Sequence, residues 1–240
     1  MSRRRNLVVG WVLAVLTIAL FVRLGLWQMD RAAQKEQMLD AAAKVLERRD
    51  PQSLAIADDA ARAHAYDWAS GTGEFDARDV LLLDNQQRNG RAGVRAYRVF
   101  VPAYGGPLLV DLGWLPLAGD RKLPQVPRPQ GTLELRGLLA PPPSTGLALG
   151  PGLGRDHEAW LMTRIDLAAI EKATGLSVPL APRVLRLDPE MKMGYERDLE
   201  LLPNTLPPEK HRGYAVQWFA LALAVLATAL ILTFRKRRAA

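Results

Sequence analysis

His211, Tyr214, Ala215, Trp218 and Ala222 recur at i, i+3, i+4, i+7 and i+11 in an apolar segment near the C-terminus. On a helix that spacing places all five on one face. A neutral imidazole beside aromatic and apolar surface is suited to be an axial ligand of a haem iron. Ala215 and Ala222 are small enough to let another helix approach closely, and Gly10 and Ala14 are spaced small-xxx-small near the N-terminus. The same residue types also form an interfacial belt that needs no ligand. Spacing alone favours that simpler reading. A second patch runs Arg23-Leu24-Gly25-Leu26-Trp27-Gln28-Met29-Asp30-Arg31. Arg23 either meets a lipid phosphate or a propionate, or snorkels beside a belt tryptophan.

Other chemistry has little support. His64 and His157 are isolated in sequence. No HExxH, HxxxH or paired-carboxylate spacing marks a zinc site, and no serine lies in GxSxG. Gly71-Thr72-Gly73 and the glycines from Gly150 to Gly154 do not form a phosphate loop. Asp188, Glu190, Glu196, Asp198 and Glu200 read as a solvated acidic face rather than a calcium site. With no cysteine there is no thiolate copper site, thiol redox step or CxxCH haem attachment. No set of nucleophile, base and orienting group appears, so the chain is expected to turn nothing over.

The elements that must position the histidine are two uncharged apolar runs, Leu7 to Val22 and Tyr214 to Phe234. About 20 helical residues span the ~30 Å core of a bilayer. Arg3, Arg4 and Arg5 precede the first run, and Arg235 to Arg238 follow the second. These seven charges equal the formal net charge of +7, so the basic excess signals topology rather than nucleic-acid binding. The expected organisation is a basic cytoplasmic N-terminus (1–6), transmembrane helix 1 (7–27), a periplasmic domain (28–212), transmembrane helix 2 (213–234) and a basic cytoplasmic C-terminus (235–240). The first run lacks an Ala-x-Ala cleavage site, and no Arg/Ser-rich transit segment precedes it. Both features favour a retained anchor in a bacterial inner membrane.

The first helix is expected to continue into water as far as Arg49, stopped by Pro51. A short helix is expected over Ser53 to Ala63, and strands over Asp79–Asn85, Val94–Ala103, Leu108–Leu115, Thr132–Arg136 and Val178–Leu187. The run Tyr104-Gly105-Gly106-Pro107 makes the second and third of these a hairpin. Asp166 and Gly175 bracket a helix. Pro116–Gln130 and Pro141–Gly154 read as connectors, the second a mobile loop. The fold class is a membrane protein of α+β type. Two transmembrane helices flank a periplasmic antiparallel sheet or partial barrel with a few helices.

Four blocks in order resemble the Surfeit locus protein 1 family, over nearly the whole chain. They are Leu24-Gly25-x-Trp27-Gln28-x-x-Arg31; Leu83-Asp84-Asn85 with Gly90, Gly93, Val99 and Pro102; Gly113-Trp114-Leu115-Pro116; and His211-x-x-Tyr214-Ala215-x-x-Trp218-Phe219. The resemblance implies an assembly factor for haem-copper cytochrome c oxidase that binds haem a and helps deliver it to subunit I. It implies His211 as ligand of the haem iron, with Tyr214 and Trp218 on its face and Trp27, Gln28 and Arg31 at the neighbouring helix mouth. Oxidase subunit I and the bilayer are the implied partners, with haem a synthase as a further one. The alternatives are a haem-independent scaffold that holds an assembly intermediate and a membrane-anchored periplasmic enzyme. Two departures stand out. Asp111-Leu112 replaces the family's frequent Asn-Arg, and Glu209-Lys210 replaces an Asn pair before the histidine.

Overall fold

The computed structural model describes residues 3–143, 150–201 and 206–234. The C-terminal basic cluster lies outside them. The chain divides into two compact units, Met1–Asp40 with Thr205–Ala240, and Ala41–Asn204.

The first unit is built from the leading part of helix α1 (Arg3–Arg48) and from helix α3 (Pro208–Phe234). Both are long and apolar enough to cross a membrane. They run antiparallel, because Trp11 Nε1 donates to Thr233 Oγ1 at 3.0 Å while His211 meets Gln28 toward the opposite ends. The packed stripe is small: Ala14 and Ala32 on α1, Ala215 and Ala222 on α3. Large aliphatics such as Val12, Leu16, Leu20, Val216, Leu223 and Ile231 face outward. That inverts the pattern of a soluble helix pair, which buries its large aliphatics. Gly10 is exposed with open space around it, so it does not serve the packing expected of it. Gly25 does. A Cβ there would lie 2.5 Å from the Phe219 ring, so the pair closes around the missing side chain.

The second unit holds nine strands among the described residues: β1 (Gln52–Ser53), β2 (Asp67–Phe75), β3 (Val80–Arg88), β4 (Arg91–Pro102), β5 (Leu108–Pro116), β6 (Leu133–Ala140), β7 (Leu153–Asp156), β8 (Ala159–Met162) and β9 (Val184–Leu187). Strands β2, β6, β9, β5 and β4 pair in sequence, and β4 pairs back onto β2 through Phe75 and Phe100. The ring is therefore closed. β3, β8 and β7 extend it from the other stretch of β4. Alternation fills the inside with Val94, Ala96, Phe100, Leu108, Val110, Leu135, Leu139 and Leu185. It turns Tyr97, Val99 and Leu109 toward a second layer under α2 (Leu167–Thr174). The last turns of α1, with Ala42, Val45 and Leu46, pack on Trp68 and Leu138. Arg49, in the left-handed region at φ 48°, ends that helix ahead of Pro51.

The expected sheet was antiparallel; the observed sheet is mixed. β5 with β9, β3 with β8 and β1 with β2 are parallel pairs. β9 arrives by a crossover through α2 and slots between β5 and β6, which forces one parallel neighbour and one antiparallel. The expected strand from Val178 shrinks to Val184–Leu187, because Pro179 and Pro182 cannot donate to a ladder. The expected helix over Ser53–Ala63 is two 3₁₀ turns, Leu54–Asp58 and Ala60–Arg62. Ser53 does cap the first, accepting from Ala55 N–H, but Asp59 opens a second cap and breaks the run. The hairpin of β7 and β8 was not foreseen. Its turn carries His157 at φ 52° rather than a glycine. Of the expected mobile loop, residues 144–149 lie outside the description and Leu153–Gly154 already belong to β7.

Candidate functional site

The site assembles where the apolar runs of α1 and α3 give way to polar sequence. Gln28, Ala32 and Lys35 follow one another at i, i+4 and i+7 on α1, and His211 and Ala215 at i and i+4 on α3. Ala32 and Ala215 are fully buried, which lets the larger polar side chains between them come together. His211, 9% exposed, places Nδ1 2.7 Å from Gln28 Oε1. With the amide oxygen facing the ring, Nδ1 carries the proton and donates. Nε2 is then a lone-pair acceptor; it is buried and has no hydrogen-bond partner. Burial, then the positive charges of Lys35 and Arg31, push the imidazole's proton affinity below its ordinary value. The arrangement is an anchored imidazole whose second nitrogen is a buried, unpartnered lone-pair donor at the polar end of the apolar run.

The other expected residues divide. Trp218 is half-buried against Phe21, their ring centroids 5.4 Å apart. Tyr214, although on the predicted stripe, is 40% exposed and points off the packed face. Trp27 is exposed and lies under the Arg31 guanidinium at 5.8 Å. Arg31 itself reaches Gln34 Oε1 at 3.4 Å. Gln28 and His211 are therefore brought together, Arg31 acts on the ring through its charge, and Trp27 and Tyr214 form the exposed rim. Sequence reasoning missed Lys35, whose Nζ donates to the Leu206 carbonyl. It also missed the pair of Arg212 with Glu36 at 2.5 Å. Their signal was present in the spacing, since Lys35 lies two turns beyond Gln28 on the same face.

Among its described residues the second unit holds no rival constellation. Among the described residues no group of three or more His, Asp or Glu could hold a metal. His64 is exposed, and His157 is exposed beside Asp156 at 2.7 Å. The supposed solvated acidic face is instead an ion-pair lattice. Asp188 is 1% exposed and takes Arg136 at 2.7 Å and Arg49 at 3.8 Å. Burial alone would raise its carboxyl; the Glu190 N–H and the two arginines outweigh burial and hold it below the ordinary range. Glu196 and Asp198 both pair with Arg88. A groove of about 390 Å³ lies over this lattice, walled by Arg49, Trp68, Glu134 and Arg136.

The strand blocks serve packing. Gly113 sits at φ 112° beside a register shift of β5 on β4, and its N–H donates to Asp111 Oδ1. Trp114 is buried, with Nε1 donating to Gln86 O. Leu112, where an arginine is frequent in the resembled family, is buried in the barrel core. Asp111, its neighbour, is compensated by Arg95 at 3.3 Å and Arg186 at 3.9 Å.

A family model described as SURF1 family matches residues 15–223, which takes in most of both apolar helices and the whole barrel. No curated protein matches the chain.

Proposed function

The chain belongs to the SURF1 family, a family of assembly factors associated with cytochrome oxidase, and from that footing we propose that it binds haem a through His211 and assists its delivery to subunit I. The observation that carries the reading is the buried Nε2 of His211, unpartnered while Nδ1 is anchored on Gln28. Such an anchor fixes tautomer and ring orientation, as partners of metal-bound histidines commonly do. The donor chemistry therefore fits a haem. Bound haem a would supply an iron that the His211 nitrogen would hold. The apolar helix faces take up a hydrophobic macrocycle. Arg31, on the rim, is placed for a propionate. Trp27 and Tyr214 act at the membrane boundary.

In this reading the chain is a two-pass protein of the bacterial inner membrane with residues 28–212 in the periplasm. Support comes from the outward-facing aliphatics of both helices and the basic clusters in the sequence at their outer ends. Alkaline phosphatase fused after Gly131 is expected to be active, and fused after Ala240 inactive. Reversed activities would overturn the topology. The barrel would then be the part presented to periplasmic surfaces of the oxidase or of haem a synthase.

One observation favours a haem-independent scaffold instead: protein covers Nε2 in this state, so the helix mouth must open before a macrocycle reaches it. Purification of the full-length protein from cells that also express haem a synthase separates the two. Haem delivery predicts a Soret band that co-purifies; its absence favours the scaffold.

A further inference from the structure

We infer that Lys35, together with Arg31, forms an anion seat at the mouth of α1 and α3 that takes the carboxylate edge of the porphyrin. This rests on haem binding as proposed above. Arg31 and Lys35 are like charges at i and i+4, an arrangement that costs a helix a few tenths of a kcal/mol. The conflict is not relieved locally. Glu36 is taken by Arg212, and among the described residues neither Arg31 nor Lys35 has a carboxylate in ion-pair reach. Arg31 has a neutral amide oxygen and a tryptophan face; Lys35 has one backbone carbonyl. An ammonium has three donors, so Lys35 keeps two in reserve. It is nonetheless half-buried, and burial and then Arg31 lower its proton affinity. A partly desolvated cation beside a second cation lacks an anion.

Position says which anion. Gln28, which holds the imidazole, and Lys35 are seven residues apart, about 10 Å along the helix. That is the scale on which the carboxylates of a porphyrin stand off from its centre. The amide that holds the imidazole and two cations for the acid groups then lie along one face of α1. A lipid phosphate would satisfy the same two cations, so the test must tell the two apart.

The full-length protein in phosphatidylcholine nanodiscs is titrated with hemin and with hemin dimethyl ester, in which both propionates are blocked. Lys35→Gln should weaken hemin binding about tenfold with an unshifted Soret maximum, and should bind the ester as the wild type does. Equal hemin affinity in the two proteins overturns the seat. An equal loss for the ester also overturns it, because Lys35 would then act only by holding the Leu206 carbonyl. If discs doped with phosphatidylglycerol erase the wild-type advantage, lipid phosphate is the occupant and the assignment to porphyrin fails. His211→Ala separates the underlying reading. If it leaves the spectrum unchanged while Lys35→Gln still weakens binding, the ligand assignment fails and the seat stands. A wild type that takes up no hemin removes both.

Discussion

Arg183→Leu is expected to destabilise the barrel by about 3 kcal/mol, the low end of what breaking a buried ion pair costs. Arg183 has no exposed surface, and it stands just ahead of β9, the strand that completes the ring. Its Nη1 meets Asp67 Oδ2 at 2.5 Å and its Nη2 donates to the Ile56 carbonyl. One side chain thus ties the start of β2 and the first 3₁₀ turn to β9. Removing it strands a mostly buried carboxylate and a carbonyl together. Arg62, already on Asp67 at 2.5 Å, keeps the loss from being larger. Burial by itself would raise the Asp67 carboxyl, but hydrogen bonds from Arg62 and Arg183 hold it below its ordinary 3.8. The stability that this depression supplies is present above pH 3.8 and is lost as pH falls through the lower folded value. The gap between wild type and variant should therefore narrow in acid. Thermal unfolding of the full-length protein in detergent, followed by circular dichroism of the strands, should show a drop of about 10 °C at pH 7. The double variant Asp67→Leu/Arg183→Leu should recover part of it. A single variant within a degree of wild type would contradict this account of the closure.

How far the sequence reached depended on the range of the interaction that decides each element. α2 was legible because Asp166 and Gly175 are caps that act within a turn; Asp166 Oδ1 accepts from Ala169 N–H, and Gly175 adopts φ 66°. The hairpin of β4 and β5 was legible because Gly105-Gly106 fixes it locally. Closure of the ring was not legible, since the pairing of Phe75 with Phe100 and the insertion of β9 between β5 and β6 are long-range choices with no local signature. The site shows the same division. His211 and its stripe follow from helical periodicity, which also put Tyr214 on a face that it only borders. Gly25 read as part of a block, but its role depends on where Phe219 lies. The pairing of Gln28 with His211 joins residues 183 positions apart, and no spacing rule reports it. The acidic residues from Asp188 to Glu200 looked solvated because their arginine partners, Arg49, Arg88 and Arg136, are distant in sequence.

The largest functional effect is expected at His211. Its alanine variant removes the ring that Gln28 holds and with it the buried nitrogen donor; the fold should survive, because the small residues of the packed stripe are untouched. His64 and His157 are exposed on the barrel unit. The decisive measurement is the visible spectrum of the full-length protein and its three histidine-to-alanine variants, each co-expressed with haem a synthase and purified at matched yield. The account predicts a Soret band lost or shifted in His211→Ala alone, with His64→Ala and His157→Ala spectrally like the wild type. Full haem content with an unshifted spectrum in His211→Ala would contradict it.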